Sequence, residues 1–168
     1  SSDVCSSDLK NNKLAQDTLV VTVMSNIGLT IAAKENGIKL ATTSVGDRYV
    51  LEEMKNSGYN LGGEQSGHMI FLDYNTTGDG VLSSLVLAKI VLEENKALSE
   101  LASVMTQYPQ VLVNARISNE NKNKYMEIKE ISDEISRIES LLDGCGRVLI
   151  RPSGTEPLVR VIDRKSVV

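Results

Sequence analysis

Apolar and polar positions along the first two thirds of the chain repeat with periods that switch between strand and helix. Thr18–Met24 (TLVVTVM) is a β-branched apolar run of strand length. Ser25 or Asn26 is placed to cap a helix whose stripe is Ile27, Ile31 and Ala32 and which Gly37 stops. Ile38–Thr43 reads as a second strand, and Gly46-Asp47 opens a helix with Val50, Leu51 and Met54 on its apolar face, ended by Gly58. Strand, helix, strand, helix at this spacing predicts a parallel sheet covered by helices. Tyr59–Leu61 and Met69–Leu72 are short strands flanking the glycine-rich segment Gly62–His68. Thr77-Gly78-Asp79-Gly80 caps a long helix from Val81 to about Glu94, whose apolar side is broad enough to be mostly buried, and a shorter helix spans Leu98–Thr106. The expected fold class is α/β, with residues 14–106 forming a three-layer domain around a mainly parallel sheet.

Tyr108-Pro109 marks a boundary, because proline ends a helix and favours extended chain. Beyond it the pattern changes. Val111–Ile117 alternates like a half-buried strand, and Ile128, Ile131, Ile135, Ile138 and Leu142 recur at helical spacing, with Asp133 and Arg137 set for an i,i+4 pair. Arg147–Ile150 and Leu158–Ile162 are two more strands. Residues 107–162 are expected to form a small α+β domain with an antiparallel sheet. The isoleucine stripe suits packing on that sheet better than pairing with a partner helix, since it lasts only about two heptads. Residues 1–13, which begin with a near-repeat of Ser-Ser-Asp, read as a disordered tail or a non-native scar, and 163–168 as a second tail.

Composition narrows the function. The net charge is −4, which disfavours nonspecific attraction to nucleic acid or acidic membranes. One Phe, five Tyr and no Trp leave little to build a stacking platform for single strands. No apolar run approaches the roughly 20 residues that span a bilayer. Cys5 and Cys145 are the only cysteines, too few for a disulfide framework or a zinc site, and a reducing, cytoplasmic setting is the default. Cys145, between two glycines, reads as a turn residue.

Two segments can carry chemistry. Gly62-Gly63-Glu64-Gln65-Ser66-Gly67-His68 concentrates a carboxylate, an amide, a hydroxyl and an imidazole in a flexible turn, a mixture suited to a polyol such as a sugar. His68 is also a possible acid or base near neutral pH. The same residues serve equally as a polar hairpin loop with a structural histidine. Arg151-Pro152-Ser153-Gly154-Thr155-Glu156-Pro157, followed by Arg160, can form an anion nest around Gly154 with Arg151 as a bidentate fork on phosphate. Four of the seven arginines (Arg147, Arg151, Arg160 and Arg164) fall in this stretch; the alternative is a tight turn with solvated arginines. Asp47 and Arg48 pair an acid and a base at a helix start, where Asp47 also suits an N-cap. Asp79 is a cap rather than a metal ligand, being the one carboxylate in its loop. No Ser/His/Asp triad is assignable with a single histidine.

Taken together, VTVMSNIGL (21–29), VGDRYVLEEM (45–54), GGEQSGH (62–68), TTGDGVLSSL (76–85) and RPSGTEPLVRV (151–161) resemble the C-terminal half of the α-D-phosphohexomutase superfamily over roughly residues 14–162. VMSNIGL and VGDRYVLEEM resemble its glucosamine branch more than its phosphomannomutase/phosphoglucomutase branch, a hexose mutase or a noncatalytic phosphosugar-binding module being the rival readings. The resemblance implies four domains around a cleft, with 14–106 most of the third and 107–162 a truncated fourth. It implies that Asp47, Arg48, Glu64, Ser66 and His68 meet the sugar and that Arg151, Ser153, Gly154, Thr155 and Arg160 hold the phosphate of a phosphorylated hexosamine. The implied reaction interconverts glucosamine 6-phosphate and glucosamine 1-phosphate for UDP-N-acetylglucosamine synthesis, through a phosphoserine and a bisphosphorylated sugar. Mg²⁺ is the implied cofactor and a homodimer the implied assembly of such an enzyme. The catalytic serine loop and the Asp-Gly-Asp-Gly-Asp metal loop do not occur in these 168 residues, and the helix expected after Ile162 is replaced by a few polar residues and two valines, so the chain alone is expected to recognise a phosphosugar and transfer nothing.

Overall fold

The computed structural model describes residues 8, 11, 13–142, 146–153 and 156–165. Gly154 and Thr155, expected in the anion nest, lie outside the described residues, as do Cys5, Cys145, most of the N-terminal tail and the side chains of Arg147 and Arg164. The chain divides into two compact units, Ser1–Gln107 and Tyr108–Val168.

In the first unit, β1 (Thr18–Thr22) is buried at every position and lies between β2 (Lys39–Thr43) and β3 (Leu61–Gly63), to both of which it is parallel. β4 (Met69–Phe71) adds antiparallel beyond β3, giving the order β2-β1-β3-β4. Alternation along the strands sends Leu19, Val21, Leu61 and Phe71 to one face and Val20 and Ile70 to the other, where separate apolar clusters form. Helices α1 (Ile27–Glu35), α3 (Gly80–Glu94) and α4 (Leu98–Ala102) supply Leu29, Ala33, Ile90 and Leu101 to the first cluster. Helix α2 (Asp47–Ser57) supplies Val50 and Met54 to the second. The result is a three-layer α/β sheet.

Local chemistry explains the ends of these helices. Asn26, the alternative to Ser25, caps α1 by accepting from Gly28 N at 2.9 Å. Asp79 caps α3 through one oxygen that accepts from Val81 N at 2.9 Å and Leu82 N at 3.0 Å. Asp79→Ala is therefore expected to lower stability by about 1 kcal/mol in a urea melt followed by circular dichroism. Asp47 is not an N-cap. Gly46, at φ 130°, takes that position, and Asp47 is the first helical residue, its carboxylate accepting from Arg48 N at 2.8 Å.

The apolar side of α3 is less covered than expected. Only Ile90 is buried in that helix, while Val81, Leu85 and Leu92 are 73%, 64% and 80% exposed. The helix is apolar nearly all round, but one stripe (Leu82, Val86, Ile90, Val91) suffices to pack on the sheet. Helix α4 ends at Ala102, four residues before the expected limit of Thr106.

The second unit is a three-stranded antiparallel sheet in the order β5-β7-β6, formed by β5 (Gln110–Arg116), β6 (Gly146–Pro152) and β7 (Leu158–Lys165). Helix α5 (Lys129–Leu142) lies along β6, and its Ile131, Ile135, Ile138 and Leu142 are more shielded than most polar positions between them, whereas Ile128 precedes the helix and is exposed. The expected Asp133–Arg137 pair does not form. Arg137 makes a bidentate contact with Glu134, three residues away, which holds that carboxyl below the usual range, and Asp133 pairs with Lys129. The guanidinium fork needs both oxygens of one carboxylate, and Glu134 reaches it with the longer side chain. β5 is not half-buried: as an edge strand bonded only to β7, it leaves Val111, Leu112 and Val113 more than half exposed.

Candidate functional site

β3 ends at Gly63, and the chain reverses into β4 within five residues. Glu64 N donates to His68 O at 3.0 Å and Gly67 N donates to Glu64 O at 3.1 Å, closing a tight turn. Gly67 sits at φ 93°, a conformation that L side chains rarely adopt. The tightness brings alternate side chains together. Ser66 Oγ donates to Glu64 Oε1 at 2.6 Å and lies 2.8 Å from His68 Nδ1, and His68 Nδ1 is 3.3 Å from the same Glu64 oxygen. The Glu64 side chain is 14% exposed and that of His68 58%, so the carboxylate is tucked in while the imidazole faces outward.

This loop stands at the carboxyl ends of the parallel strands. β1 has β2 on one side and β3 on the other, so the chain changes direction across the sheet between β1 and β3, and crevices outside such strand ends are where ligands bind in open α/β sheets. A pocket of about 280 Å³ opens there, with Leu19, Val21 and Leu29 on its apolar side and Ser25, Asn26, Glu64 and Gln65 among its polar groups. The sequence marks Ser25 and Asn26 as cap candidates, and their place after the first strand of a βαβ unit is the signal that also puts them at this pocket. Ser66, His68, Asp47 and Arg48 do not line this pocket.

The second candidate is built by strand register. Arg151 on β6 stands directly opposite Arg160 on β7, and Asn114 on β5 stands opposite Arg160 from the other side, so the three residues form one row on one face of the sheet. Neither Arg151 Nε nor Arg160 Nε is exposed or has a hydrogen-bond partner. Arg160 Nη2 donates to Glu156 Oε2 at 2.9 Å. Ser153 is 4% exposed and fully engaged: its N donates to Leu158 O, its hydroxyl oxygen accepts from Glu156 N at 3.2 Å, and its carbonyl accepts from Lys122 Nζ at 2.9 Å. Ser153 thus shapes the turn, and Lys122 is a cation beside it that the sequence pattern did not single out. Glu156 balances only one of the two guanidiniums, and the positive charge left over on neighbouring strands suits this row to a phosphate.

Among the described residues, no group of three or more His, Cys, Asp or Glu side chains is placed to hold a metal ion, and no helix is long and apolar enough to cross a membrane. These side chains form no site that fits the Mg²⁺ implied by the resemblance.

Comparison with known proteins gives these features a setting. The family described as phosphoglucomutase/phosphomannomutase, alpha/beta/alpha domain III, matches residues 4–108, and the C-terminal domain of the same family matches 112–162. The chain is 83% identical over 153 residues to a phosphoglucosamine mutase of Clostridioides difficile, covering 91% of this chain and 34% of that protein. It is 61% identical over 160 residues to one of Caldanaerobacter subterraneus, covering 95% and 36%. The chain therefore spans about a third of the length of the curated relatives it matches. Among solved structures, N-acetylphosphoglucosamine mutase of Aspergillus fumigatus in complex with GlcNAc-6P and magnesium is similar with a TM-score of 0.74 at 17% identity, over 99% of this chain and 40% of that one. An N-acetylglucosamine-phosphate mutase in its product complex gives 0.75 at 20% identity over the same 99% and 40%. At these identities the likeness is one of fold.

Proposed function

The chain belongs to the phosphoglucomutase/phosphomannomutase family, and from that premise we propose that it is the phosphosugar-recognising portion of a phosphoglucosamine mutase. The whole protein would interconvert glucosamine 6-phosphate and glucosamine 1-phosphate, passing a phosphoryl group from a phosphoserine to the sugar and taking one back from the bisphosphorylated intermediate. The residues in hand do the holding. The single observation that carries the reading is the Glu64–Ser66–His68 cluster, three hydrogen-bonding side chains drawn within 3.3 Å of one another on a turn at the carboxyl ends of β1 and β3. Such a cluster suits adjacent sugar hydroxyls. In the second unit, Arg151 and Arg160 would receive the phosphate through charge-assisted contacts, with Ser153 and Lys122 fixing the turn beside them. Asp47 and Arg48, exposed at the start of α2, would meet the sugar only from outside the pocket described above.

Binding of the 168-residue chain to glucosamine 6-phosphate, glucose 6-phosphate and unphosphorylated glucosamine tests the reading by calorimetry. Glucosamine 6-phosphate is expected to bind most tightly; equal affinity for glucosamine removes the phosphate assignment, and equal affinity for glucose 6-phosphate removes the amino-sugar preference. A second measurement uses Glu156, whose carboxylate occupies Arg160. An incoming phosphate must displace that ion pair, which at such exposure is worth up to about 1 kcal/mol. Glu156→Gln is therefore expected to tighten phosphosugar binding by two- to about fivefold.

A further inference from the structure

The turn at Glu64–His68 holds three groups around a single hydroxyl hydrogen. Ser66 Oγ is 2.6 Å from Glu64 Oε1 and 2.8 Å from His68 Nδ1. A serine hydroxyl has one hydrogen to give, and an ionised carboxylate can only accept. The shorter contact takes that hydrogen: Ser66 donates to Glu64. What Ser66 then turns toward His68 is a lone pair, so a hydrogen bond across 2.8 Å exists only if Nδ1 carries the proton. The second distance points the same way. Nδ1 also lies 3.3 Å from Glu64 Oε1, where an unprotonated nitrogen would set its lone pair against a carboxylate oxygen.

We propose that Glu64 and Ser66 are positioning residues that hold neutral His68 as its Nδ1–H tautomer, leaving Nε2 as a bare acceptor for a ligand hydroxyl. The inference rests on the sugar-loop reading above and gives it a direction. With its hydrogen committed to Glu64, Ser66 has no proton to offer a ligand. The acceptors the cluster presents are Nε2 of the half-exposed imidazole and Oε2 of Glu64, which makes no hydrogen bond within the cluster. The cluster therefore favours groups that donate, such as sugar hydroxyls or a protonated amine, and rejects acceptor-only groups such as a carboxylate or a phosphate oxyanion.

His68 is the only histidine in the chain, so long-range ¹H–¹⁵N correlation of the imidazole reads one residue without assignment. In the full 168-residue chain, at alkaline pH where the ring is neutral, Nδ1 is expected to report as the protonated nitrogen and Nε2 as the bare one. Replacing Glu64 and Ser66 together by alanine is expected to reverse the majority tautomer toward that of free imidazole side chains, whereas Ser66→Thr, which keeps the hydroxyl, is expected to preserve it. A protonated Nε2 in the unaltered chain, or a tautomer indifferent to the joint replacement of Glu64 and Ser66, overturns the proposal. Adding glucosamine 6-phosphate separates the two readings. A shift of the Nε2 resonance supports both, whereas an unmoved Nε2 in a chain that keeps Nδ1–H leaves the positioning role standing and sinks the sugar-loop reading.

Discussion

Gly62→Ala is expected to destabilise the first unit by about 1–3 kcal/mol, and that loss should shrink when Met54 is also replaced by alanine. A Cβ at position 62 would stand 2.7 Å from Met54 Sδ, 2.7 Å from Val50 Cγ1 and 3.2 Å from Val20 Cβ, all in the buried cluster between the sheet and α2. Val20 and Val50 are β-branched and stiff, so relieving the Val50 contact needs α2 to shift, and removing the Met54 side chain frees space for that shift. Met54 is fully buried, and Met54→Ala alone should cost about 2–5 kcal/mol through lost burial and the cavity left behind. In the double variant the methyl introduced at position 62 occupies part of that cavity. The two losses should therefore fall short of their sum by roughly 1 kcal/mol or more, in urea denaturation of all four chains followed by circular dichroism. Additive losses would mean that Met54 does not limit the room available at position 62.

That glycine also marks where the sequence pattern was hardest to read. The long apolar or β-branched segments declared themselves, because β1 must satisfy burial on both faces and has no polar residue other than threonine with which to do otherwise. Its two threonines are buried as well, their hydroxyls bonded locally, Thr18 donating to Gln16 O and Thr22 accepting from Met24 N. Helix caps were equally legible at Asn26 and Asp79, since the capping bond spans only two or three residues. β3 was not. Leu61-Gly62-Gly63 has low strand propensity, and the strand was expected at Tyr59–Leu61; pairing of Gly62 with both Val20 and Ile70 moved it two residues on. The requirement satisfied there is the closeness of α2, a tertiary fact that local periodicity does not carry.

The candidate site divides along the same line. Glu64, Ser66 and His68 were legible as a group because a tight turn holds alternate residues together whatever surrounds it. Ser25 and Asn26, though adjacent in sequence to β1, meet Glu64 and Gln65 only through the parallel pairing of β1 with β3 across some forty residues. Arg151 and Arg160 were legible as cations, yet their direct opposition depends on a register that a one-residue slip would abolish. Lys122 reaches Ser153 O from 31 residues away and left no trace in the pattern.

That opposition sets the largest functional effect expected. Arg151→Ala should weaken glucosamine 6-phosphate binding by about 10- to 100-fold, the equivalent of losing one charge-assisted hydrogen-bonding partner. The Nε of Arg151 is shielded from solvent and has no protein partner, and its neighbour across the strands is another guanidinium whose Nε is in the same state. Glu156 offsets one of the two charges, and the cost of holding the second beside it is one that a dianion between them would offset. Removing one should therefore leave the stability of the second unit unchanged or slightly raised even as affinity falls, a combination that a purely structural arginine would not produce. Arg151→Lys should land between the two, because a lysine restores the charge but not the planar fork that meets two phosphate oxygens. Binding of unphosphorylated glucosamine should not change in either variant, and the difference between the phosphorylated and unphosphorylated ligand should narrow as salt is raised. Undiminished affinity in Arg151→Ala, measured by calorimetry alongside a urea melt, would mean that the phosphate is held elsewhere and that the arginine row serves only the sheet.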